Sequence, residues 1–383
     1  MTDVYTLWGT SGSLYTAKVR AYLRKHRIPF VERAAGEPIF REEVVPKTGR
    51  WIMPVLVAPD GAVLQDGTDI IDALEARGLG RFPTLPETPA ARAAAHVFEL
   101  FGGEGLLRPA MHYRWNFDPD NLAFIKNDFC AGLAPGASLE DAEAVFAFAS
   151  ERMRKAARSF GVTEDSALHV ETSYHEFLAL LDTHLADRPY LVGGLPSVGD
   201  YALFGPLFAH LGRDPHPAAL MKRVAPRVYR WTERMNAPED STPEHPASEG
   251  MFADDIPETL RALLRFVAED HLPELRAHIA FANAWLAERP ELVAGTNGLP
   301  KPGARAIGAA AFTWREVEIE TAVMPYRFWL LQRLQDFADG SAPDCASAVE
   351  SLLADTGLSE MLTLRTARRV ERRDCLEVWG PPR

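Results

Sequence analysis

The fold of the first part of the chain is decided by the stretch Tyr5-Thr-Leu-Trp-Gly-Thr-Ser-Gly-Ser-Leu-Tyr-Thr-Ala-Lys-Val-Arg20. It predicts a short apolar strand over 3–8, a tight Ser/Gly turn, and a helix over 14–26 that begins near Ser13. The first amides of a helix are unpaired and the helix dipole favours negative charge there. A thiolate is such an anion, and its pKa falls in such a setting. The turn is therefore a candidate anion site.

A second segment predicts a hairpin followed by a capped helix. It consists of Trp51-Ile-Met-Pro-Val-Leu-Val57 and Leu64-Gln-Asp-Gly-Thr-Asp-Ile-Ile71. Strands at 53–58 and 62–65 flank a Pro-Asp-Gly turn, and Asp66 precedes a helix of about 69–77 that ends at Gly78. A short strand at 28–31 and an irregular stretch at 36–48 precede this segment. The element order is that of a thioredoxin-like α/β fold.

The remainder of the chain has mainly helical periodicity. Prolines at 81–89 interrupt any helix and mark a boundary. Beyond it, helices are predicted at 90–114, 119–129, 139–159, 167–187, 198–211 and 216–235. A stretch rich in Pro, Glu and Ser at 236–249 predicts an exposed linker. After the linker, helices are predicted at 257–288, 315–338 and 346–356, and a strand within 362–378. The predicted domains are 1–80 (α/β), 90–235 (all-α) and 250–383 (a mainly helical extension).

Composition narrows the class of protein. The 383 residues carry a formal net charge of −12, which disfavours nucleic acid as a partner because phosphate binding needs clustered Lys and Arg. The three cysteines, Cys130, Cys345 and Cys375, suit a reducing compartment and fit neither a disulfide framework nor a metal site. We see no signal peptide and no run of about 18 apolar residues that could span a membrane. A cytoplasmic protein is expected, without metal.

Several motifs in order resemble the glutathione S-transferase superfamily. The helix start Ser13-Leu-Tyr-Thr-Ala-Lys-Val-Arg20 is similar to the family's serine turn, and Met53-Pro54 is similar to its cis-proline. Asp66-Gly67 stands where the family has an acidic or Gln/Ser pair. Pro196-Ser-Val-Gly-Asp200 looks like the capping box of the buried helix in the family's second domain. The resemblance covers about residues 3–235.

The resemblance implies which residues would bind the glutathione tripeptide. Ser13 would stabilise its thiolate, with Ser11, a tyrosine or the backbone amides alone as alternatives. A cis Pro54 would expose the backbone of Met53 to the cysteinyl amide, and a cation such as Arg50 would hold the glycyl carboxylate.

The γ-glutamyl end would lie at Asp66, Gly67 and Thr68. Gly67 departs from the family pattern, because the usual serine hydroxyl is missing. The electrophile would meet an apolar wall formed by Met111, Tyr113 and Trp115, although helical Met and aromatic residues also commonly pack in a core.

The activity implied by the resemblance is glutathione transfer. The enzyme would ionise the glutathione thiol and let it attack an electrophilic small molecule, with glutathione as co-substrate and no separate cofactor. A lyase, isomerase or dehalogenase could share the scaffold. The resemblance also implies a homodimer that pairs the first domain of one chain with the second domain of the other. The alternative is a non-catalytic binding or scaffold protein, which Gly67 and the long extension favour.

Overall fold

The computed structural model describes residues 4–246, 250–301 and 303–383. The first domain contains, in chain order, β1 (Tyr5–Gly9), α1 (Leu14–Lys25), β2 (Phe30–Ala34), α2 (Val45–Thr48), β3 (Val55–Val57), β4 (Val63–Gln65) and α3 (Gly67–Ala76). The strands form one sheet in the order β2-β1-β3-β4. β1 pairs with β2 in parallel, whereas the β1–β3 and β3–β4 pairs are antiparallel. The predicted thioredoxin-like domain is confirmed.

The prediction of an irregular stretch at 36–48 is wrong. Residues Phe40–Val44 form a turn of π-helix that continues directly into α2. Phe40 and Val44 are buried there, and the Phe40 ring lies 5.5 Å from the ring of Trp8 in β1. Pro46 stands in the first turn of α2, directly after the π-helical turn.

The second domain is all-helical, as predicted. Its helices are α4 (Pro89–Leu100), α5 (Leu107–Trp115), α6 (Asp118–Leu133), α7 (Leu139–Arg158), α8 (Ala167–His184), α9 (Val198–Ala209), α10 (Pro215–Val224) and α11 (Pro226–Asn236). The single helix predicted at 90–114 is interrupted by a π-helical segment, Phe101–Gly105. Gly102 in that segment lets α9 approach closely, because a Cβ there would lie 2.5 Å from the Leu203 amide nitrogen. The helix predicted at 216–235 divides at Pro226, which has no N–H to donate.

Helix α9 lies at the centre of the second domain. Its first ten residues, Val198–Leu207, are all buried, and its capping box is present. The Ser197 hydroxyl oxygen accepts from the Asp200 amide at 3.4 Å, and the Asp200 carboxylate accepts from the Ser197 and Leu191 amides at 2.9 and 3.0 Å. Burial raises the pKa of Asp200 to about 6, although these hydrogen bonds act to lower it.

The extension mixes helices with two hairpins. Its elements are α12 (Glu258–Asp270), α13 (Leu272–Ala287), β5 (Gly308–Trp314), β6 (Val317–Val323), α14 (Pro325–Asp339), α15 (Pro343–Asp355), β7 (Arg368–Arg373) and β8 (Leu376–Pro382). The helix predicted at 315–338 is wrong over residues 315–324. Arg315 and Glu316 have positive φ and turn β5 into β6, in which burial alternates as in a strand with one buried face. The helix predicted at 257–288 divides at His271. The strand predicted within 362–378 is one half of the β7–β8 hairpin.

One continuous hydrophobic core joins the three regions. It includes Leu7 and Ile70 of the first domain, Phe98 of the second, and Leu263 and Leu331 of the extension. The extension is thus an integral part of the folded unit and not an appended domain. Among the described helices, none combines the length and apolarity that crossing a membrane requires.

We expect the buried cap of α9 to matter more for stability than an exposed cap. Ser197→Ala should lower the free energy of unfolding by about 1–2 kcal/mol, because a buried amide loses its acceptor. Ser138 caps the exposed start of α7 with the same geometry and serves as the control. Ser138→Ala should cost about 0.5 kcal/mol, near the low end for caps. Urea unfolding followed by circular dichroism measures both, and equal losses would contradict the prediction.

Candidate functional site: a cleft filled by the extension

The Ser13 turn adopts the predicted form. Ser13 is the N-cap of α1, and its hydroxyl oxygen accepts from the Thr16 amide at 3.2 Å. Ser13 is half-buried, whereas Ser11 is exposed. The carbonyl oxygen of Gly12 accepts from Arg114 at 3.3 Å and is 3.1 Å from Nε2 of His210, so the turn is held against the second domain.

The Met53–Pro54 peptide bond is cis, which confirms the predicted conformation. It immediately precedes β3, and Pro54 is buried while Met53 is half-buried. The Thr10 hydroxyl lies 3.6 Å from the Met53 sulfur and connects the proline to the Ser13 turn. These two features are therefore neighbours.

The start of α3, where the γ-glutamyl end would lie, is already occupied. Asp66 caps α3 and accepts from the Thr68 amide at 2.8 Å. The same carboxylate oxygen accepts a hydrogen bond of 2.8 Å from the hydroxyl of Tyr326, the second residue of α14. Asp66, Gly67 and Thr68 are all buried. The extension thus covers the helix start that the sequence assigned to the ligand.

The cation expected for the glycyl carboxylate is occupied in the same way. Arg50 donates two hydrogen bonds, of 2.9 and 3.1 Å, to the carboxylate of Glu377 in β8. A third bond of 2.9 Å runs from Arg50 to the carbonyl oxygen of Cys375. The side chains of Arg50 and Glu377 are only 8% and 5% exposed. Lys47, the neighbouring cation, is exposed.

Arg372 of β7 joins the two occupied ends. It pairs with Glu377 and donates to Asp69 of α3 at 2.9 Å and to the Gln65 side chain at 2.9 Å. Burial would raise the pKa of Glu377, but the hydrogen bond from Arg50 and the charges of Arg305, Arg50 and Arg372 outweigh it, so its pKa is lowered. Glu377 is therefore an ionised, fully paired carboxylate at neutral pH.

A buried charged network anchors α14 beside this site. Arg327 donates to Glu104 at 3.0 Å and to Glu274 of α13 at 2.5 Å, and all three side chains are at most 3% exposed. The hydroxyl of Tyr15 donates to the other oxygen of Glu104 at 3.0 Å. Burial, reinforced by Glu104, raises the pKa of Tyr15 far above its ordinary value, so this tyrosine cannot serve as a base near neutral pH.

The expected electrophile wall lies in the core. Met111 and Trp115 are buried and pack with Ile125 and Val162. Tyr113 stacks on Phe117 with ring centroids 5.3 Å apart and is only 2% exposed. The packing alternative therefore describes these residues. The described part of the chain contains no group of three or more His, Cys, Asp or Glu side chains that could hold a metal ion.

The residues that fill the cleft all belong to the extension: Arg305, Tyr326, Arg327, Arg372 and Glu377. Sequence reasoning left a pocket contribution from 326–333 open beside packing or a partner surface, and it predicted no role at the cleft for Arg305, Arg372 or Glu377. The run Tyr326-Arg-Phe-Trp resembled the pocket-lining helix in composition, but no local pattern shows that its Tyr326 reaches Asp66.

Models of known protein families match two parts of this chain. The N-terminal domain model of glutathione S-transferases matches residues 7–82, and their C-terminal domain model matches 142–234. The chain belongs to the glutathione S-transferase superfamily. Neither superfamily model reaches the extension, which supplies the side chains that occupy the cleft.

Solved structures of the superfamily resemble parts of this chain. A beta-etherase from Sphingobium sp. strain SYK-6 is 20% identical over 64% of this chain and 97% of its own, with a TM-score of 0.44. A glutathione S-transferase from Methylobacterium radiotolerans, in complex with glutathione sulfonate, is 20% identical over 66% and 98%, with a TM-score of 0.36. A glutathione transferase from Phanerochaete chrysosporium is 16% identical over 62% and 98%, with a TM-score of 0.44. No curated protein matches the chain.

We expect acid to weaken the buried ion pairs that hold the extension in place. Burial alone would raise the pKa of Glu274, but Arg327 and Arg108 outweigh it and hold the pKa well below its ordinary value. A carboxylate with a depressed folded-state pKa stabilises the fold above its unfolded pKa, and that contribution is lost as pH falls through the folded value. The wild-type melting temperature should therefore fall steeply below about pH 4.3.

The Glu274→Gln variant tests whether protonation of Glu274 causes this loss of stability in acid. The variant should be less stable than wild type at pH 7, by about 3–5 kcal/mol, because Arg327 and Arg108 lose a shared buried partner. Its melting temperature should then change less than that of wild type between pH 5 and pH 3. The exposed Glu140→Gln should follow the wild-type curve. Parallel curves for Glu274→Gln and wild type would show that Glu274 is not the group responsible.

Proposed function

We propose that this chain is a non-catalytic member of the superfamily, a binding or scaffold protein whose glutathione cleft is filled by its own extension. One observation carries the proposal. Both positions expected to hold the carboxyl-bearing ends of the tripeptide are paired within the chain, Asp66 with Tyr326 and Arg50 with Glu377.

Energetics support a permanently filled cleft. Breaking a buried ion pair by removing one partner costs about 3–5 kcal/mol. A ligand that binds with a millimolar dissociation constant gains only about 4 kcal/mol in total. Glutathione would have to displace both Glu377 and Tyr326, and Tyr326 adjoins Arg327, which is held on both sides by buried carboxylates. This cost is of the same size as the whole binding energy of a millimolar ligand, so opening the pairs should weaken or abolish glutathione binding.

Calorimetry with reduced glutathione tests the proposal. We expect no saturable heat up to about 10 mM ligand, since occupancy of the cleft would require opening buried pairs. We also expect no thiolate absorbance near 240 nm in excess of free glutathione at the same pH. Saturable binding with a thiolate signal that disappears in Ser13→Ala would overturn the non-catalytic proposal.

A double variant distinguishes two reasons why glutathione would not bind: the cleft is filled by the extension, or the cleft lacks groups that bind glutathione. Tyr326→Ala with Glu377→Ala should make glutathione binding measurable by calorimetry, because Asp66 and Arg50 become free. Asp336→Ala on the same helix removes only an exposed pair with Arg369 and should leave wild-type behaviour unchanged. If the folded double variant still binds no glutathione, the filling is not what prevents binding.

Glutathione transfer to an electrophilic small molecule is the second candidate. The observation in its favour is that Ser13 keeps its place at the N-terminus of α1 next to the cis Met53–Pro54 bond. Within the described residues, the Ser13 hydroxyl bonds only to the Thr16 amide and to no group of the extension. Conjugation of a generic electrophile by wild type, and its loss in Ser13→Ala, would favour this function.

A further inference from the structure

Within the part of the chain that the structure describes, one face of helix α7 is exposed. The helix packs on α5 and α6, and only Ala142, Ser150 and Ala157 of its twenty residues are buried. The Phe148 side chain, at the middle of the helix, is 65% exposed. A large aromatic side chain exposed at the centre of a surface helix marks a possible contact surface, but does not by itself identify the partner.

The exposed face has a symmetric arrangement about Phe148. Asp141, Ala144, Phe148, Arg152 and Lys155 are all exposed and are spaced by three, four, four and three residues. At about 100° per residue these five positions fall within an arc of about 80°, so they form one stripe. We call this set of five residues the α7 stripe.

The charges of the α7 stripe are opposite at its two ends. Asp141 lies seven residues before Phe148, and Lys155 lies seven residues after it. Two copies of α7 packed antiparallel about a two-fold axis through Phe148 would place Asp141 of each copy opposite Lys155 of the other. Ala144 would face the aliphatic part of Arg152, whose guanidinium lies 5.6 Å from the centre of its own Phe148 ring. A parallel pairing would instead juxtapose like charges.

We infer that the α7 stripe binds the same stripe of a second copy of this chain, in an antiparallel two-fold contact centred on Phe148. Helix-dipole stabilisation accounts for acidic residues near a helix start and basic residues near its end. It does not account for an exposed phenylalanine at the midpoint with the two charges at equal distances from it. This surface differs from the contact of first domain with second domain that the family resemblance implies, and it does not depend on glutathione binding.

The contact is small, so we expect association to be weak. A pair of twenty-residue helices, each about 30 Å long, offers less than the 1,200–2,000 Å² typical of stable interfaces. A dissociation constant on the order of 10–100 µM is expected for an interface below that size. Sedimentation equilibrium of the full chain at about 5–500 µM covers this range.

Charge exchange gives a test specific to the antiparallel arrangement. Asp141→Lys alone places Lys against Lys, and Lys155→Glu alone places Asp against Glu, so each variant should raise the dissociation constant about tenfold or more. A mixture of the two variants restores both opposite-charge pairs and should associate nearly as well as wild type. Phe148→Ser should also weaken association.

Leu139→Ser is the matched control. Leu139 is 77% exposed on the same helix but lies on the opposite side from Phe148, so its removal should not change association. Circular dichroism checks that each variant retains its helix content. A wild-type chain that stays monomeric throughout the concentration range overturns the inference. Association that is insensitive to the single charge changes, or is not restored in the mixture, also overturns it.

Discussion

The buried guanidinium of Arg327 is the interaction on which the arrangement of the three regions depends. It lies between the carboxylates of Glu104 in the second domain and Glu274 in the extension, and Glu104 also accepts from Tyr15 of the first domain. A charge with 1% of its side chain exposed requires such partners, because an uncompensated buried ion costs several kcal/mol. Helix α14 therefore has one position relative to both domains.

That position determines what happens at the cleft. Tyr326 precedes Arg327 in the first turn of α14. The position of the Arg327 guanidinium therefore also fixes the Tyr326 hydroxyl within hydrogen-bond distance of Asp66. Two turns later, Arg333 binds Asp72 of α3 at 2.5 Å and Glu99 of α4 at 2.9 Å. Burial would raise the pKa of Glu99, but Arg333 and Lys18 hold it well below its ordinary value. The cleft is filled as a consequence of how the core assembles, by a helix that packs on α4.

The sequence allowed the first domain to be predicted because its signals are local. Ser13 starts α1 through a bond three residues away, and the β3–β4 hairpin closes over a short turn. The break at Phe101–Gly105 was missed because it depends on a tertiary contact, the close approach of α9 to Gly102. The break at Pro226 has a local signal, the proline itself, which the prediction overlooked. The β5–β6 hairpin was missed because β6 was assigned to the helix that follows and β5 was assigned to no element. The sequence of β6 begins Val317-Glu-Ile-Glu320, and this alternation of apolar and polar residues is a strand signal that the prediction overlooked.

At the candidate site, residues that the sequence assigned to ligand binding contact side chains of the extension. Asp66 does accept a hydrogen bond at the start of α3, and Arg50 does bind a carboxylate in a two-pronged contact. Their partners lie 260 and 327 residues further along the chain, a separation at which sequence patterns carry no pairing information. A carboxylate supplied by the same folded chain binds without the translational entropy cost that a free ligand must meet. Arg50 and Asp66 therefore fix the extension to the first domain, through Glu377 and Tyr326 respectively.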